Sequence, residues 1–173
     1  SDGEEIITYS TDPLDWDTDG DSIEDLNENG TMTWSMSDYD EIKIYGTNAT
    51  EPDSDLDGLN DALELYLGAG IIPWMDPLPL NPMSNDTDGD GLADGSELLM
   101  RNISDIIYPF VARTPIFQYN SSPVLADTDG DNVSDYLEIV EYNSDPTIWD
   151  TDNDTLTDWQ EIFVYNTSAI YAD

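Results

Sequence analysis

The side chains of this chain that could do chemistry are carboxylates at fixed spacing. Five twelve-residue segments have Asp at positions 1, 3, 5 and 9, an aliphatic residue at position 7 and Glu at position 12. We call them the first to fifth loops, and they span residues 17–28, 53–64, 86–97, 127–138 and 150–161. Acids at alternate positions around a turn direct their oxygens toward one centre. The spacing therefore predicts five calcium-binding loops.

Hard oxygen ligands in this number favour Ca²⁺, whereas Mg²⁺ prefers tighter octahedral geometry and fewer protein ligands. Each loop offers five carboxylates and the backbone carbonyl of position 7. The predicted ligands are Asp17, Asp19, Asp21, Ile23, Asp25, Glu28, Asp53, Asp55, Asp57, Leu59, Asp61, Glu64, Asp86, Asp88, Asp90, Leu92, Asp94, Glu97, Asp127, Asp129, Asp131, Val133, Asp135, Glu138, Asp150, Asp152, Asp154, Leu156, Asp158 and Glu161. The aliphatic residue stands at position 7, whereas EF-hand loops have it at position 8. No helical apolar period precedes the loops, so we do not expect the flanking helices of an EF-hand.

Short helices must follow the loops and hold the closing glutamates. The Asp at position 9 and the Glu at position 12 are spaced like an N-cap and its third helical residue, as in Asp158 with Glu161 and in Asp25 with Glu28. We expect one or two helical turns, because a polar turn begins shortly after each closing glutamate. A tyrosine stands four residues after Glu5, Glu41, Glu138 and Glu161, at Tyr9, Tyr45, Tyr142 and Tyr165.

Position 6 of each loop should adopt a positive φ, which favours Gly and then Asn. Gly58, Gly91 and Asn132 satisfy this requirement. Ser22 and the β-branched Thr155 do not. We therefore expect weaker calcium binding in the first and fifth loops.

The charge balance excludes several function classes. The 173-residue chain has 40 acidic and three basic residues, a formal net charge of −37, and neither His nor Cys. Three cations cannot form a groove for nucleic acid or bind an anionic membrane surface. Zinc, haem, iron–sulfur, thiol and His-dependent catalytic sites lack their usual ligands or bases. No apolar stretch is long enough to span a membrane.

Low hydropathy and high charge are also typical of disordered chains. Two alternatives to metal binding are a solvated, disordered acidic surface and the scattered acidity of a halophilic protein. Both are disfavoured because 25 of the 40 acids occupy the five repeated loop positions in register.

The chain is read as one tandem array over residues 1–173. Closing glutamates recur at a constant interval, that between Glu138 and Glu161, and longer intervals are explained by insertions at residues 29–41, 66–84 and 98–124. Residues 1–5 match positions 8 to 12 of a loop, and Asp173 follows Asp150 by the same constant interval. We therefore expect the array to be cut within a repeat at both ends.

The insertions carry most of the large apolar residues outside the loops. The favoured interpretation is that they fold back as small satellite cores over adjacent loops. The alternative is that some of them form a contact between protomers, including head-to-tail self-association into a filament.

The motif Asp-x-Asp-x-Asp-Gly-Leu-x-Asp-x-x-Glu, followed by Tyr-Gly-Thr-Asn or Tyr-x-Ser-Asp-Pro, resembles the thrombospondin type 3 repeats of bacterial and archaeal surface proteins. A similar loop occurs in the calcium-binding region of the pore-forming component of binary bacterial toxins. The resemblance implies an elongated, irregular calcium-stabilised repeat array with little regular sheet. It also implies a second ion in some loops, bound by positions 3, 5 and 12 with a linker oxygen from Asp12, Asn48 or Asp145.

Calcium should supply most of the folding free energy, because five carboxylates repel one another in each empty loop and the apolar content is modest. Millimolar calcium is found outside cells, so we expect an extracellular or cell-surface location. Asn-x-Ser/Thr sequons predict N-glycosylation. The candidate sites are Asn29, Asn48, Asn85, Asn102, Asn120, Asn153 and Asn166.

Three function classes were compared. The favoured one is a calcium-rigidified structural segment of an extracellular stalk, surface-layer or filament protein. The second is a calcium-dependent adhesion or toxin-like module that binds a partner through its aromatic insertions. An enzyme is disfavoured, because calcium binding accounts for every well-placed carboxylate pair and there is no other general base.

Overall fold

The structure is a computed structural model that describes residues 2–21, 36–69, 77–98 and 121–172. Within these ranges the chain consists of turns and short helices and contains no sheet. The helices are Asp2–Glu4, Glu5–Tyr9, Asp38–Asp40, Glu41–Tyr45, Asp61–Gly68, Asp94–Glu97, Leu137–Tyr142 and Gln160–Tyr165. The prediction of an irregular fold with short helices after the loops is confirmed for these ranges.

The helix at the end of each described loop begins at position 9 of that loop, so the N-cap is the residue at position 8. Asn60 Oδ1 accepts a hydrogen bond from the Leu63 amide at 2.8 Å, and Thr157 Oγ1 accepts one from the Gln160 amide at 3.2 Å. The prediction that Asp158 is an N-cap was therefore wrong by one residue. The reason is that the position-9 carboxylate has other donors, in the loop itself.

A π-helical turn begins at the closing glutamate, or one residue before it, in four repeats. Its final hydrogen bond runs from the C-cap amide to the carbonyl of the closing glutamate, as from Gly46 to Glu41 at 2.6 Å. The C-cap has a positive φ at Ser10, Gly46, Asn143 and Asn166. Gly and Asn adopt this conformation at low cost. The helix therefore ends after the short length that the sequence predicted.

A small apolar core surrounds the longest helix, Asp61–Gly68. Leu59, Leu63 and Leu67 are each 1% exposed and pack together in one cluster. Six residues of the same cluster belong to the predicted insertions, and they are Met36, Tyr66, Leu67, Leu78, Leu80 and Leu98. For these six residues the structure agrees with the satellite-core interpretation; most other apolar insertion residues lie outside the described ranges.

Consecutive repeats also touch through the tyrosine that follows the closing glutamate. The Tyr142 and Phe163 rings meet edge to face with centroids 6.3 Å apart. The Lys43 ammonium lies 4.8 Å from the centroid of the Tyr9 ring and donates a hydrogen bond to the Tyr9 hydroxyl at 2.6 Å. Lys43 and Phe163 both stand two residues after a closing glutamate, so the same contact recurs along the array. None of the described helices has the length and apolarity needed to cross a bilayer.

Candidate metal centres

The position-1 carboxylate closes the turn of each loop. In the second loop Asp53 Oδ1 accepts a hydrogen bond from the Leu56 amide at 2.7 Å, and Asp53 Oδ2 accepts one from the Gly58 amide at 3.0 Å. The third and fourth loops repeat both bonds. In the fifth loop Asp150 Oδ2 accepts from the Thr155 amide at 3.0 Å. The amides of positions 4 and 6 must therefore point inward.

Pointing these amides inward requires a positive φ at positions 4 and 6. The φ values at position 6 lie between 82° and 111° in the second to fifth loops, which confirms the requirement there; Ser22, at this position of the first loop, lies outside the described residues. Thr155 adopts a φ of 94° despite its β-branch. Position 4 also has a positive φ, at Gly20, Leu56, Gly89, Gly130 and Asn153. The positive φ at position 4 was not predicted above, although four of these five residues are Gly or Asn.

The position-3 carboxylate uses one oxygen in the loop and leaves the other free. Asp55 Oδ1 accepts a hydrogen bond from the Asp57 amide at 3.2 Å, while Asp55 Oδ2 is buried and has no hydrogen-bond partner. The same Oδ2 atom is buried without a partner in all five loops, at Asp19, Asp55, Asp88, Asp129 and Asp152. An unpaired buried carboxylate oxygen is costly, and a bound cation at this place would satisfy it in every loop.

The position-9 carboxylate holds the residue at position 2. In the second loop the Ser54 amide and hydroxyl donate to the two oxygens of Asp61 at 2.9 and 2.6 Å. The Asp61 amide in turn donates to the Pro52 carbonyl at 3.0 Å. Threonine replaces the serine in the other loops, and the acceptors there are Asp38, Asp94, Asp135 and Asp158.

In the first loop the acceptor at this place is Asp38, which lies 20 residues after Thr18. The Thr18 amide and hydroxyl donate to the two Asp38 oxygens, each at 2.7 Å. The Asp38 amide donates to the Trp16 carbonyl at 3.1 Å, which reproduces the bond from Asp61 to Pro52. The predicted ligands Ile23, Asp25 and Glu28 lie outside the described residues.

The position-5 carboxylate connects one repeat to the next. Asp57 Oδ1 accepts from the Leu59 amide of its own loop at 2.7 Å, and Asp57 Oδ2 accepts from the Gly95 amide of the third loop at 3.2 Å. The donor in the neighbouring repeat is always position 10. The other junctions pair Asp21 with Ala62, Asp90 with Tyr136 and Asp131 with Trp159.

The closing glutamates of the described repeats are fully buried. Glu41, Glu64, Glu97, Glu138 and Glu161 are all 0% exposed. Four of them accept a hydroxyl hydrogen bond on Oε1, from Thr47, Ser121, Ser144 and Thr167. Oε2 is buried without a partner in all five, and Glu64 has no partner on either oxygen.

These acids meet at two kinds of centre. Within a loop, oxygens of positions 1, 3 and 5 lie within 4.8 Å of one another, as in Asp53, Asp55 and Asp57. Between loops, oxygens of positions 5 and 12 of one loop lie within 4.8 Å of an oxygen of position 9 of the following loop. Two such groups are Asp21, Glu41 and Asp61, and Asp57, Glu64 and Asp94. The position-9 residue therefore faces the centre of the preceding repeat, which the sequence spacing could not show.

Burial and mutual repulsion make these acids resist ionisation. Burial, and next the charge of Asp55, raise the pKa of Glu64 to about 9. The same two causes, burial and then neighbouring aspartates, raise the pKa of Glu41 to about 8 and that of Asp21 to about 7. No described cation lies among these carboxylates to offset their charge; the only described cation, Lys43, contacts Tyr9. A divalent ion at each centre would supply that charge.

The predicted linker ligands take a different role. Asp12 Oδ1 and Asp145 Oδ1 accept hydrogen bonds from the amides two residues later, at 2.9 and 3.0 Å. Asn48 Oδ1 accepts from the Thr50 hydroxyl at 2.9 Å. All three side chains are exposed turn residues, so the structure does not place their side-chain oxygens in the metal centres.

Comparisons with known proteins give one family match and one similar solved structure. A search of curated proteins gives no match. A solved structure described as "Biofilm associated protein - B domain" is 34% identical over 27% of this chain and 11% of its own length, with a TM-score of 0.27. The chain thus corresponds to about a tenth of that protein's length. Residues 86–100, which include the complete third loop, match the bacterial TSP3 repeat. The chain therefore carries thrombospondin type 3 repeat sequence of the bacterial kind.

Proposed function

We propose that this chain is a calcium-rigidified structural segment of an extracellular surface protein. One observation supports this most strongly: in every repeat, a position-3 oxygen and a closing-glutamate oxygen are buried without a partner. A protein interior rarely leaves such atoms unsatisfied. The match of residues 86–100 to the bacterial TSP3 repeat, a calcium-binding repeat, supports calcium as the cation that would satisfy them.

Two ions per repeat fit the two kinds of centre. Positions 1, 3 and 5 would hold one ion within the loop. Positions 5 and 12, with position 9 of the following loop, would hold a second ion at the junction. The ions would supply positive charge. Ser or Thr hydroxyls orient the buried glutamates, and the position-5 aspartates accept hydrogen bonds that join neighbouring repeats. The result is a chain whose repeats are cross-linked by calcium in addition to these hydrogen bonds.

The proposed location follows from calcium concentration. At millimolar extracellular calcium, a site with micromolar Kd stabilises the folded chain by about 4 kcal/mol. At the submicromolar level of the cytosol the same site would be mostly empty. Four candidate glycosylation sites, Asn48, Asn85, Asn153 and Asn166, have exposed side chains, as attachment of a glycan requires. We propose a glycosylated stalk or filament segment without catalytic activity.

Calorimetric titration of the metal-free chain with calcium tests the proposal. We expect more than five ions per chain, with binding heats lost in the presence of a chelator. A matched titration with magnesium should show much weaker binding. A chain that binds no calcium at millimolar concentration would overturn the proposed function.

A further inference from the structure

We infer that the first calcium loop is split by an insertion, so that Asp38 is its position 9 and Glu41 its position 12. This inference rests on the proposed calcium binding and assigns to the loop two residues that the contiguous twelve-residue motif does not contain. The motif alone selects Asp25 and Glu28, which follow Asp21 without a gap.

The hydrogen bonds around Asp38 give the first line of support. In four uninterrupted loops, position 9 accepts from the amide and the hydroxyl of position 2, with hydroxyl distances of 2.6 to 2.7 Å. Thr18 makes both bonds to Asp38 at 2.7 Å. The helix that follows begins at Asp38, with Ser37 Oγ accepting from the Asp40 amide at 3.2 Å. Asp38 therefore has the hydrogen-bond partners and the helix position of a position-9 aspartate.

The surroundings of Glu41 give the second, independent line. Glu41 is 0% exposed, and its Oε2 is buried without a partner, as in the other closing glutamates. Thr47 donates to Glu41 Oε1 at 3.5 Å, and Ser144 donates to Glu138 Oε1 in the same way at 3.1 Å. Asp21 Oδ1 is also buried without a partner. Oxygens of Asp21, Glu41 and Asp61 lie within 4.8 Å of one another, so these orphaned atoms point to one centre.

The register explains how both sets of residues fit the motif. The interval from Asp25 to Asp38 equals the interval from Glu28 to Glu41, so the second pair repeats the spacing of the first. Met36 is 1% exposed and precedes Asp38 by two residues, as Leu59 precedes Asp61. The loop thus combines residues 17–21 with residues 36–41. The insertion lies inside the loop rather than after it.

Calcium stoichiometry of matched variants of the whole chain tests this assignment. Glu41→Gln and Asp38→Asn should each remove at least one bound ion or weaken its binding at least tenfold. The double variant Asp25→Asn/Glu28→Gln removes two acids from the same segment and should nevertheless keep the wild-type stoichiometry, with affinities within twofold. Equilibrium dialysis with metal analysis gives the stoichiometry, and calorimetry gives the affinities.

The double variant keeps the test decisive even if Glu41→Gln fails to fold. Loss of an ion from Asp25→Asn/Glu28→Gln would overturn the split loop and restore the contiguous loop. Full calcium binding by both Glu41→Gln and Asp38→Asn would overturn it as well. Absence of calcium binding by the wild-type chain would instead overturn the proposed function, so the two failures are distinguishable.

Discussion

Replacing Glu64 with glutamine should change stability in opposite directions with and without calcium. Glu64 is 0% exposed, has no hydrogen-bond partner on either carboxylate oxygen, and lies with Asp57 and Asp94 in one junction centre. Glutamine has the same shape but no charge. Without calcium the substitution removes a buried acid that is repelled by its neighbours. With calcium it removes an anionic ligand.

The magnitudes follow from the pKa of Glu64, which burial raises from 4.5 to about 9. For the calcium-free chain at pH 8, that increase in pKa would lower the free energy of unfolding by about 5 kcal/mol if the site were fully shielded from water. Water that enters the site screens the charges, so we expect Glu64→Gln to stabilise the calcium-free fold by about 1–2 kcal/mol. With calcium present, we expect Glu64→Gln to weaken ion binding at the junction centre 10- to 100-fold. This corresponds to a loss of about 1.4–2.8 kcal/mol of binding free energy.

The assay compares unfolding midpoints under the two conditions at pH 8. The calcium-free chain is folded with trimethylamine N-oxide, which favours compact states, and the calcium-loaded chain is unfolded with urea. Glu64→Gln should need less of the osmolyte and less urea than the wild type. The exposed Glu51→Gln serves as control and should shift neither midpoint by more than about 0.5 kcal/mol. Equal destabilisation under both conditions would refute the reasoning, because Glu64 would then be an ordinary structural residue.

Three further predictions concern backbone and pH. Gly95→Ala should destabilise the calcium-loaded chain by about 3 kcal/mol in urea unfolding, because an added Cβ would overlap the Asp57 carbonyl oxygen; Gly89→Ala, where a Cβ meets no atom within 4 Å, should cost only about 1 kcal/mol. Thr155→Gly should tighten calcium binding in the fifth loop by about 1 kcal/mol in calorimetry, since it relieves a φ of 94°; unchanged affinity would contradict this. In a chelator, far-UV circular dichroism should show the chain losing helix as pH rises from about 4.5 to about 9. Burial raises the pKa values of these acids in the folded chain. Their contribution to stability is therefore complete at a pH below their pKa in the unfolded chain, and it is lost as the pH rises above their pKa in the folded chain. Calcium should remove this loss, and identical pH profiles with and without calcium would be evidence against the assignment.

Several features could be predicted from the sequence because they are local. The alternate acids of one loop are only two residues apart, so their convergence follows from a tight turn. The positive φ at position 6 follows from the Gly and Asn residues there. The length of the helices follows from the polar turn after each tyrosine.

Other features depend on contacts between repeats, and spacing cannot supply these. The position-9 aspartates face the preceding repeat, and the position-5 aspartates bind an amide of the next one. The ambiguity in the first loop has a related cause, because the acid pairs before and after the insertion satisfy the same motif. The tyrosine signal could have separated them, since Tyr45 stands four residues after Glu41 and no tyrosine stands there after Glu28.

Small-angle X-ray scattering of the wild-type chain before and after chelation tests the central claim most directly. With calcium bound, we expect a well-defined, elongated particle. At pH 8 in chelator, the radius of gyration should rise toward about 44 Å, the value expected for an unfolded chain of 173 residues. Readdition of calcium should reverse the change. A scattering profile that stays the same after complete removal of calcium would contradict the claim that cations, rather than an apolar core, give this chain its shape.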